Sequence, residues 1–494
     1  MTKGTTRRRF IKGAAAALGA GFAHSFTARS YARIIGSNED IRVAVAGCRS
    51  QGASHMQTYL GMKGARLVKI CDADSAVLGT RLAEARGKDP SVEGEADVRR
   101  VIEDAGIDAI VAATPNHWHA LLVVWACQAG KHIYVEKPVT HCIWEGRRII
   151  EAARKYNRVV QCGMQRRSDP CWPAAFEWIR EGHLGKMLYS RGLCYVRRDS
   201  IGKVSGPQEI PKSVDYNLWS GPREMKPLMR RNLHYDWHWA WLTGNGDLGN
   251  NGVHQADIAA WSIGASELAP ACVSVGGRFG YDDDGETPNT QICIFDYKPV
   301  PVISEVRGLP LEQGGEALPQ FLNCRVNNII HCEGGYIMGG SAYEYEEKGT
   351  ALGRKATRIR SFGESGGSGH RENFIEAVRA GKQSVANAPP VTGHVAAGLC
   401  HQANISHRIG RMATPDEIEE SLKYDSGALE TFERFREHLG RNGVDLRTDR
   451  AVLGPRLKFD PKMERFVGNG ALDERANALL KDDYREPFVI PEEV

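Results

Sequence analysis

Four short apolar runs, each set off by a turn and most of them followed by a helix-length stretch, constrain the first third of this 494-residue chain. Residues 41–46 (Ile-Arg-Val-Ala-Val-Ala), 65–71, 109–113 and 132–135 are strand-length and rich in Val, Ile and Ala. Helices are expected between them, at 54–60 and 119–129. Strands that alternate with helices bury both faces only as a parallel sheet with helices on either side. Residues 38–158 are therefore expected to form a doubly wound α/β domain. Such a sheet presents its ligand-binding groups at the carboxyl ends of its strands.

Beyond about Arg158 the pattern changes to longer runs rich in Trp, Val, Ile and Tyr, separated by Gly and Pro. Residues 159–454 are read as a second, α+β domain with a large, mostly antiparallel sheet. Residues 310–319 read as an exposed loop. Residues 455–494, ending Arg-Glu-Pro-Phe-Val-Ile-Pro-Glu-Glu-Val, read as an extended strap.

After the first strand comes Gly47-Cys48-Arg49-Ser50-Gln51-Gly52. It keeps the first and third glycines of the dinucleotide pattern G-x-G-x-x-G and places Arg49 at the second. Amides of the turn and the helix that follows still favour a pyrophosphate there. Asp72 closes the second strand about twenty residues on, where a carboxylate bonds ribose hydroxyls and repels a 2′-phosphate. That favours NAD over NADP, although Arg49 is a candidate phosphate ligand that would reverse the preference. The last of the four runs leads into Glu136-Lys137-Pro138. Pro ends the strand because it cannot donate to the ladder, which places Lys137 at the mouth of the sheet.

Taken in order, the glycine turn, the acidic strand end, "ATPNHWHA" (113–120) and "EKP" (136–138) resemble the glucose-fructose oxidoreductase, inositol dehydrogenase and MocA family. The similarity runs from about Ile41 to at least Gly264 and continues through "HRENFIEAVRAGK" to about Arg411. The resemblance implies a Rossmann domain with NAD. It places Lys137 beside the nicotinamide and the reacting carbon, with Thr114, Pro115, Asn116, His119 and Glu136 around the nicotinamide half. It also implies a homo-oligomer built on the open face of the second sheet.

The second half of the site is expected in "NGDLGNNGVHQADIAAW". Asn250 and His254 are four apart, and share a face if a helix begins there. Relatives commonly carry Asp and His at this spacing, with His as acid/base; here Asn250 replaces the Asp. Asn cannot accept a proton, so either His254 works with Lys137 alone, or Asp247 or Asp257 orients its ring. Residues 232–241 alternate polar and aromatic types. If extended, Tyr235, Trp237, Trp239 and Trp241 share one face and His234, Asp236 and His238 the other. Trp237 would then stack on a sugar, with His238, Asn250 and Asp257 as polar contacts. The alternative for this segment is an aromatic core with one or two polar groups in the pocket. The histidines at 117, 119, 234, 238 and 254 raise a metal site, but no paired carboxylate motif completes one, and no metal is expected.

The N-terminus, Thr6-Arg-Arg-Arg-Phe-Ile-Lys12 before an Ala/Gly-rich run, resembles a twin-arginine export leader over residues 1–32. Candidate cleavage sites end at Ser25 or Ala32. Those residues hold Lys3, Arg7, Arg8, Arg9, Lys12 and Arg29 and no acid, so removing six charges takes the formal +4 to −2. Nothing in the remaining chain argues for nucleic acid. Twelve cysteines without a Cys-x-x-Cys pair read as buried single thiols.

The expected activity is reversible hydride transfer between NAD and a secondary hydroxyl carbon of a sugar, cyclitol or glycoside. Lys137 polarises the oxygen and His254 moves the proton. An exported member loads its cofactor before crossing, through the twin-arginine machinery to the periplasm, and keeps it. Two alternatives stand beside this: a glycoside-cleaving enzyme working by oxidation and elimination, and a secreted sugar-binding protein with a decayed dinucleotide site.

Overall fold

The computed structural model describes residues 40–346, 355–364 and 366–494. The expected export leader lies outside them. The first domain runs β1 (Ile41–Ala46), α1 (Ser50–Gly61), β2 (Ala65–Cys71), α2 (Ser75–Arg86), β3 (Glu93–Glu95), α3 (Val98–Glu103), β4 (Ala109–Ala112), α4 (Asn116–Gln128), β5 (His132–Val135), α5 (Ile143–Lys155) and β6 (Val160–Cys162). The six strands are parallel, in the order β3-β2-β1-β4-β5-β6. The sheet thus reaches past residue 158.

Period-two geometry splits each strand between two cores. Val43, Val45, Ala109 and Val111 pack with Met56 and Tyr59 on one face. Ala44, Ala46, Ile110 and Ala112 pack with Leu121 and Val124 on the other. Helices cover both faces, so the strands are largely apolar on both sides; the charged exceptions include Arg42 of β1, paired with Asp108, and Lys69 of β2, paired with Asp104. Strand order reverses between β1 and β4, and that switch point opens the crevice in which the site lies.

The second domain contains α6 (Cys171–Arg180), β7 (Met187–Tyr195), α7 (Tyr216–Ser220), α8 (Val253–Ser262), β8 (Ala271–Gly277), β9 (Thr290–Phe295), β10 (Val302–Arg307), β11 (Val326–Cys332), β12 (Gly335–Met338), β13 (Ser341–Tyr345) and β14 (Ala356–Ser361). After them come α9 (His370–Ala380), α10 (Pro390–Arg408), β15 (Arg411–Ala413), α11 (Pro415–Leu422), α12 (Ser426–Arg441) and β16 (Ala451–Leu453). The sheet order is β14-β13-β12-β11-β7-β10-β9-β8-β16-β15, antiparallel except where β10 meets β7. One face carries α8 and α10. On the other, Phe432 and Phe435 of α12 bury against Val273, Ile292 and Ile303. α9 returns to the first domain, where Phe374 and Ile375 join its core.

The C-terminal segment is more ordered than the strap read from sequence. It forms β17 (Leu457–Asp460), β18 (Arg465–Phe466) and α13 (Leu472–Asn477). The alternation Leu457, Phe459 lets β17 pair with β8 and bury its apolar side. Phe488 then inserts against Trp118 and Trp125, ring centroids 5.4 and 6.2 Å away. Residues 310–319 are an irregular, largely exposed loop, as expected.

Candidate active site

A cavity of about 380 Å³ sits at the carboxyl ends of β1, β2, β4 and β5 and is closed on its far side by the second domain. Gly47 leaves β1 at φ +81°, and a Cβ there would stand 2.5 Å from the Ala113 carbonyl oxygen. A Cβ on Gly52 would stand 1.7 Å from the Gly47 oxygen. Both glycines are thus required by close backbone approach. Arg49 is extended (φ −82°, ψ 173°), a conformation open to any residue, which explains how it replaces the middle glycine. The helix expected from Ser54 begins at Ser50, so Ser50, Gln51 and Gly52 form its first turn. First-turn amides have no intrahelical acceptor and favour an anion.

Asp72 is held at the end of β2 by the amides of Cys48 (2.8 Å) and Asp74 (3.0 Å). Burial raises its pKa, against those hydrogen bonds. Thr114, Pro115 and Asn116 line the cavity beyond β4. Thr114 Oγ1 is buried without a hydrogen-bond partner among the described residues. Asn116 reaches into the second domain, donating to Asn245 Oδ1 at 3.0 Å. His119 touches the cavity, but its ring nitrogens face the carbonyls of Pro138 (2.6 Å) and Thr114 (2.8 Å). It braces the two turns against each other.

Glu136 is 4% exposed and is surrounded by donors: His55 Nε2 at 2.9 Å, Gln51 Nε2 at 3.0 Å and Gln165 Nε2 at 3.2 Å. Burial opposes its charge, but His55 and Lys137 outweigh that and hold its pKa well below the carboxylate range. Lys137 Nζ donates to the Asn250 carbonyl (2.8 Å) and to Asn250 Oδ1 (3.1 Å). Burial lowers the Lys137 pKa, partly offset by Glu136 and Asp247.

The second-domain wall differs from the extended, two-faced segment expected. Tyr235 takes φ +66° and starts a short 3-10 turn, Asp236–Trp239. His238 stacks on Trp237 with centroids 3.6 Å apart, and Trp237, His238, Tyr235 and His234 all line the cavity. The alternation fails because the turn rotates successive side chains by roughly 120° rather than 180°. His238 Nδ1 lies 2.5 Å from the Tyr235 carbonyl, which only accepts. Nδ1 therefore carries the proton and Nε2 the lone pair. Burial pushes its pKa down to about 3.

Asn250 lies in a π-helical turn, Leu248–Gly252, immediately before α8. π-turns often mark functional sites. His254, expected as the acid/base, is half-buried and does not line the cavity; burial and the charge of Lys137 lower its pKa to about 3. Neither expected helper orients it. Asp247 forms a bidentate pair with Arg198 (2.7 and 3.0 Å), and Asp257 one with Arg167 (2.7 and 3.0 Å). Asp257 does not line the cavity; as a buried carboxylate it needs a partner, and Arg167 supplies it. Arg198, absent from the sequence-based assignment, lines the cavity and donates to the Tyr235 hydroxyl at 2.9 Å. Its only sequence signal was its place just after β7. The histidines raised as a metal set are dispersed: His117 faces backbone carbonyls and His234 pairs with Asp74. The one compact ligand group among the described residues, Cys142, Glu145 and Asp482, has the Arg223 guanidinium against Asp482.

Comparison with known proteins finds partial matches. Residues 41–164 match the Gfo/Idh/MocA model described as "Oxidoreductase family, NAD-binding Rossmann fold", and residues 198–292 match its C-terminal alpha/beta domain. The two matched stretches thus resemble Gfo/Idh/MocA-family oxidoreductase domains, the first of them an NAD-binding Rossmann fold. Over 147 residues the chain is 36% identical to inositol 2-dehydrogenase 1 of Saccharopolyspora erythraea, which covers 29% of this chain and 43% of the relative. Over 154 residues it is 33% identical to scyllo-inositol 2-dehydrogenase (NAD(+)) of Bacillus subtilis, covering 31% and 44%. The chain thus spans less than half the length of these relatives. In fold it resembles a levoglucosan dehydrogenase solved in complex with NADH, at TM-score 0.54 and 19% identity over 74% of this chain and 95% of the other. The site's own geometry fits a dinucleotide: two glycines without room for a side chain, a free helix turn, and the unpartnered Thr114 hydroxyl.

Proposed function

We propose that the protein interconverts a secondary alcohol and a ketone on a sugar, cyclitol or glycoside, using an NAD that stays bound through successive turnovers. In the same proposal it acts after export to the periplasm by the twin-arginine machinery, as a homo-oligomer. The observation that carries the reading is the position of Lys137. It joins the nucleotide turn and the aromatic second-domain wall in one cavity and is held by both oxygens of Asn250. The dehydrogenase names of the relatives support the substrate class.

Bound NAD supplies the hydride acceptor. The chain's own groups do the rest. Lys137 donates a hydrogen bond to the substrate oxygen and stabilises charge that develops there. His238 offers a neutral Nε2 lone pair from the wall, and His254 lies beside Lys137; either imidazole can take the hydroxyl proton. Trp237 gives the sugar ring an apolar face.

His238 also favours a second reading. A base distinct from the Lys137 and His254 pair suits removal of the C–H proton next to a newly formed ketone. A leaving group on the adjoining carbon would then depart with the electron pair. Water would add to the alkene, and the hydride would return, so the net reaction is hydrolysis. Mass spectrometry of small molecules released by denaturing the purified protein tests the common premise. Stoichiometric NAD or NADH supports it, and a protein that is empty and takes up neither overturns it in favour of a decayed, sugar-binding site.

A further inference from the structure

The first-domain side of the cavity ends at Asp72 and Ala73, where the ribose carboxylate of a dinucleotide site stands. The chain does not leave that edge open. Residues 213–215 of the second domain run antiparallel past residues 73–75. Ser75 N and Oγ both donate to the Ser213 carbonyl (2.8 and 3.0 Å), and Asp215 N donates to the Ala73 carbonyl at 2.9 Å. Asp74 and Val214 form a backbone bridge. Farther along the same segment, His234 Nε2 bonds Asp74 Oδ2 at 2.8 Å, with the carboxylate nearly buried. Ala73 packs into a small apolar cluster of Val214, Trp219, Leu228, Leu233 and Trp237.

We propose that residues 210–237 are a clasp that retains the dinucleotide, latched to the edge of the nucleotide-binding sheet by His234 on Asp74 and by Ser213 on Ser75. The inference rests on the proposed use of NAD. The clasp is also fixed at its far side, where the Trp219 carbonyl accepts from Trp118 Nε1 (3.1 Å) and Arg485 donates to the Gly221 carbonyl (2.8 Å). Because that side is anchored, the Asp74 side is where it can open. Leaving there requires rupture of the four hydrogen bonds to residues 73–75 and exposure of the cluster. A cofactor held in this way exchanges more slowly than substrate turns over. The hydride it receives must then go to a carbonyl compound in the same cavity, which makes the overall reaction redox-neutral.

The test is the rate at which NADH leaves the full protein. NADH-loaded protein is mixed with excess NAD, and the loss of bound nicotinamide fluorescence is followed for wild type, His234→Ala and Ser75→Ala. Loss of the charged latch predicts release about tenfold faster, and loss of the serine hydroxyl about threefold faster. Amide hydrogen exchange at Ser75 and Asp215 should quicken in His234→Ala, and Ser75→Ala carries the test should His234→Ala not fold. Wild-type release rates in both variants overturn the clasp alone. A wild-type protein that binds neither NADH nor NAD overturns the clasp and the proposed function together.

Discussion

Replacing Glu136 by Gln changes one buried atom and removes one charge. Oε1 of Glu136 accepts from His55, Gln51 and Gln165, and Oε2 faces the Lys137 amide at 3.3 Å. A Gln can keep its oxygen at the first position only by pointing its NH2 at the Lys137 N–H, donor against donor. Hydrogen bonds to a charged group contribute about 1.5–3 kcal/mol each, so the loss of one is worth about 2 kcal/mol. In a chain of this size that lowers the thermal midpoint by about 2 °C. The pH dependence has a definite sign. Burial opposes the Glu136 charge, but His55 and Lys137 outweigh it and depress the folded pKa below the ordinary 4.5. Its stabilisation is therefore complete above pH 4.5 and is lost as pH falls through the folded pKa. Scanning calorimetry of wild type and Glu136→Gln at pH 7 and at pH values below 4.5 should show a gap that narrows with acid. An equal midpoint at pH 7, or a gap that widens in acid, refutes this account of the carboxylate.

Two further outcomes follow from the site. Gly52→Ala drives a Cβ into the Gly47 carbonyl and should abolish NADH binding in a fluorescence titration, whereas Arg49→Gly, at a position already extended, should leave the affinity within about threefold. Asn250→Asp puts a carboxylate on Lys137, raises the lysine pKa and should move the alkaline limb of the kcat/KM profile to higher pH; an unmoved limb means Lys137 does not govern it.

The nucleotide half of the site was legible in the sequence because its determinants are local. Gly47, Asp72 and Lys137 each follow a strand whose apolar composition announces it, and a parallel sheet aligns those strand ends without further information. The wall from the second domain was legible only in part. Trp237 and His238 were recognisable as residue types, but a positive φ at Tyr235 reverses the geometry that period-two alternation predicts. Ion-pair choice was not legible either. Asp247 and Asp257 stood close to His254 in sequence, yet each is claimed by an arginine 49 or 90 residues away. A buried carboxylate takes the guanidinium the fold brings to it, and that depends on long-range packing.

Asn250 stands where the sequence resemblance implied an Asp, and it still holds Lys137. A carboxylate at this position would hold Lys137 charged more firmly. The neutral oxygens of Asn250 hold the ammonium in place at 2.8 and 3.1 Å without adding charge, so burial is left to lower the lysine pKa. The buried Glu136 next to it then supplies the opposing negative charge from behind. Lysine position is thereby set by one residue and lysine ionisation by another. Under the proposed function, with one dinucleotide retained, that separation has a use. In that proposal the same lysine would serve oxidation, where the substrate oxygen loses a proton, and reduction, where it regains one. A weakly held proton on Lys137 permits both directions, whereas a locked ammonium favours one.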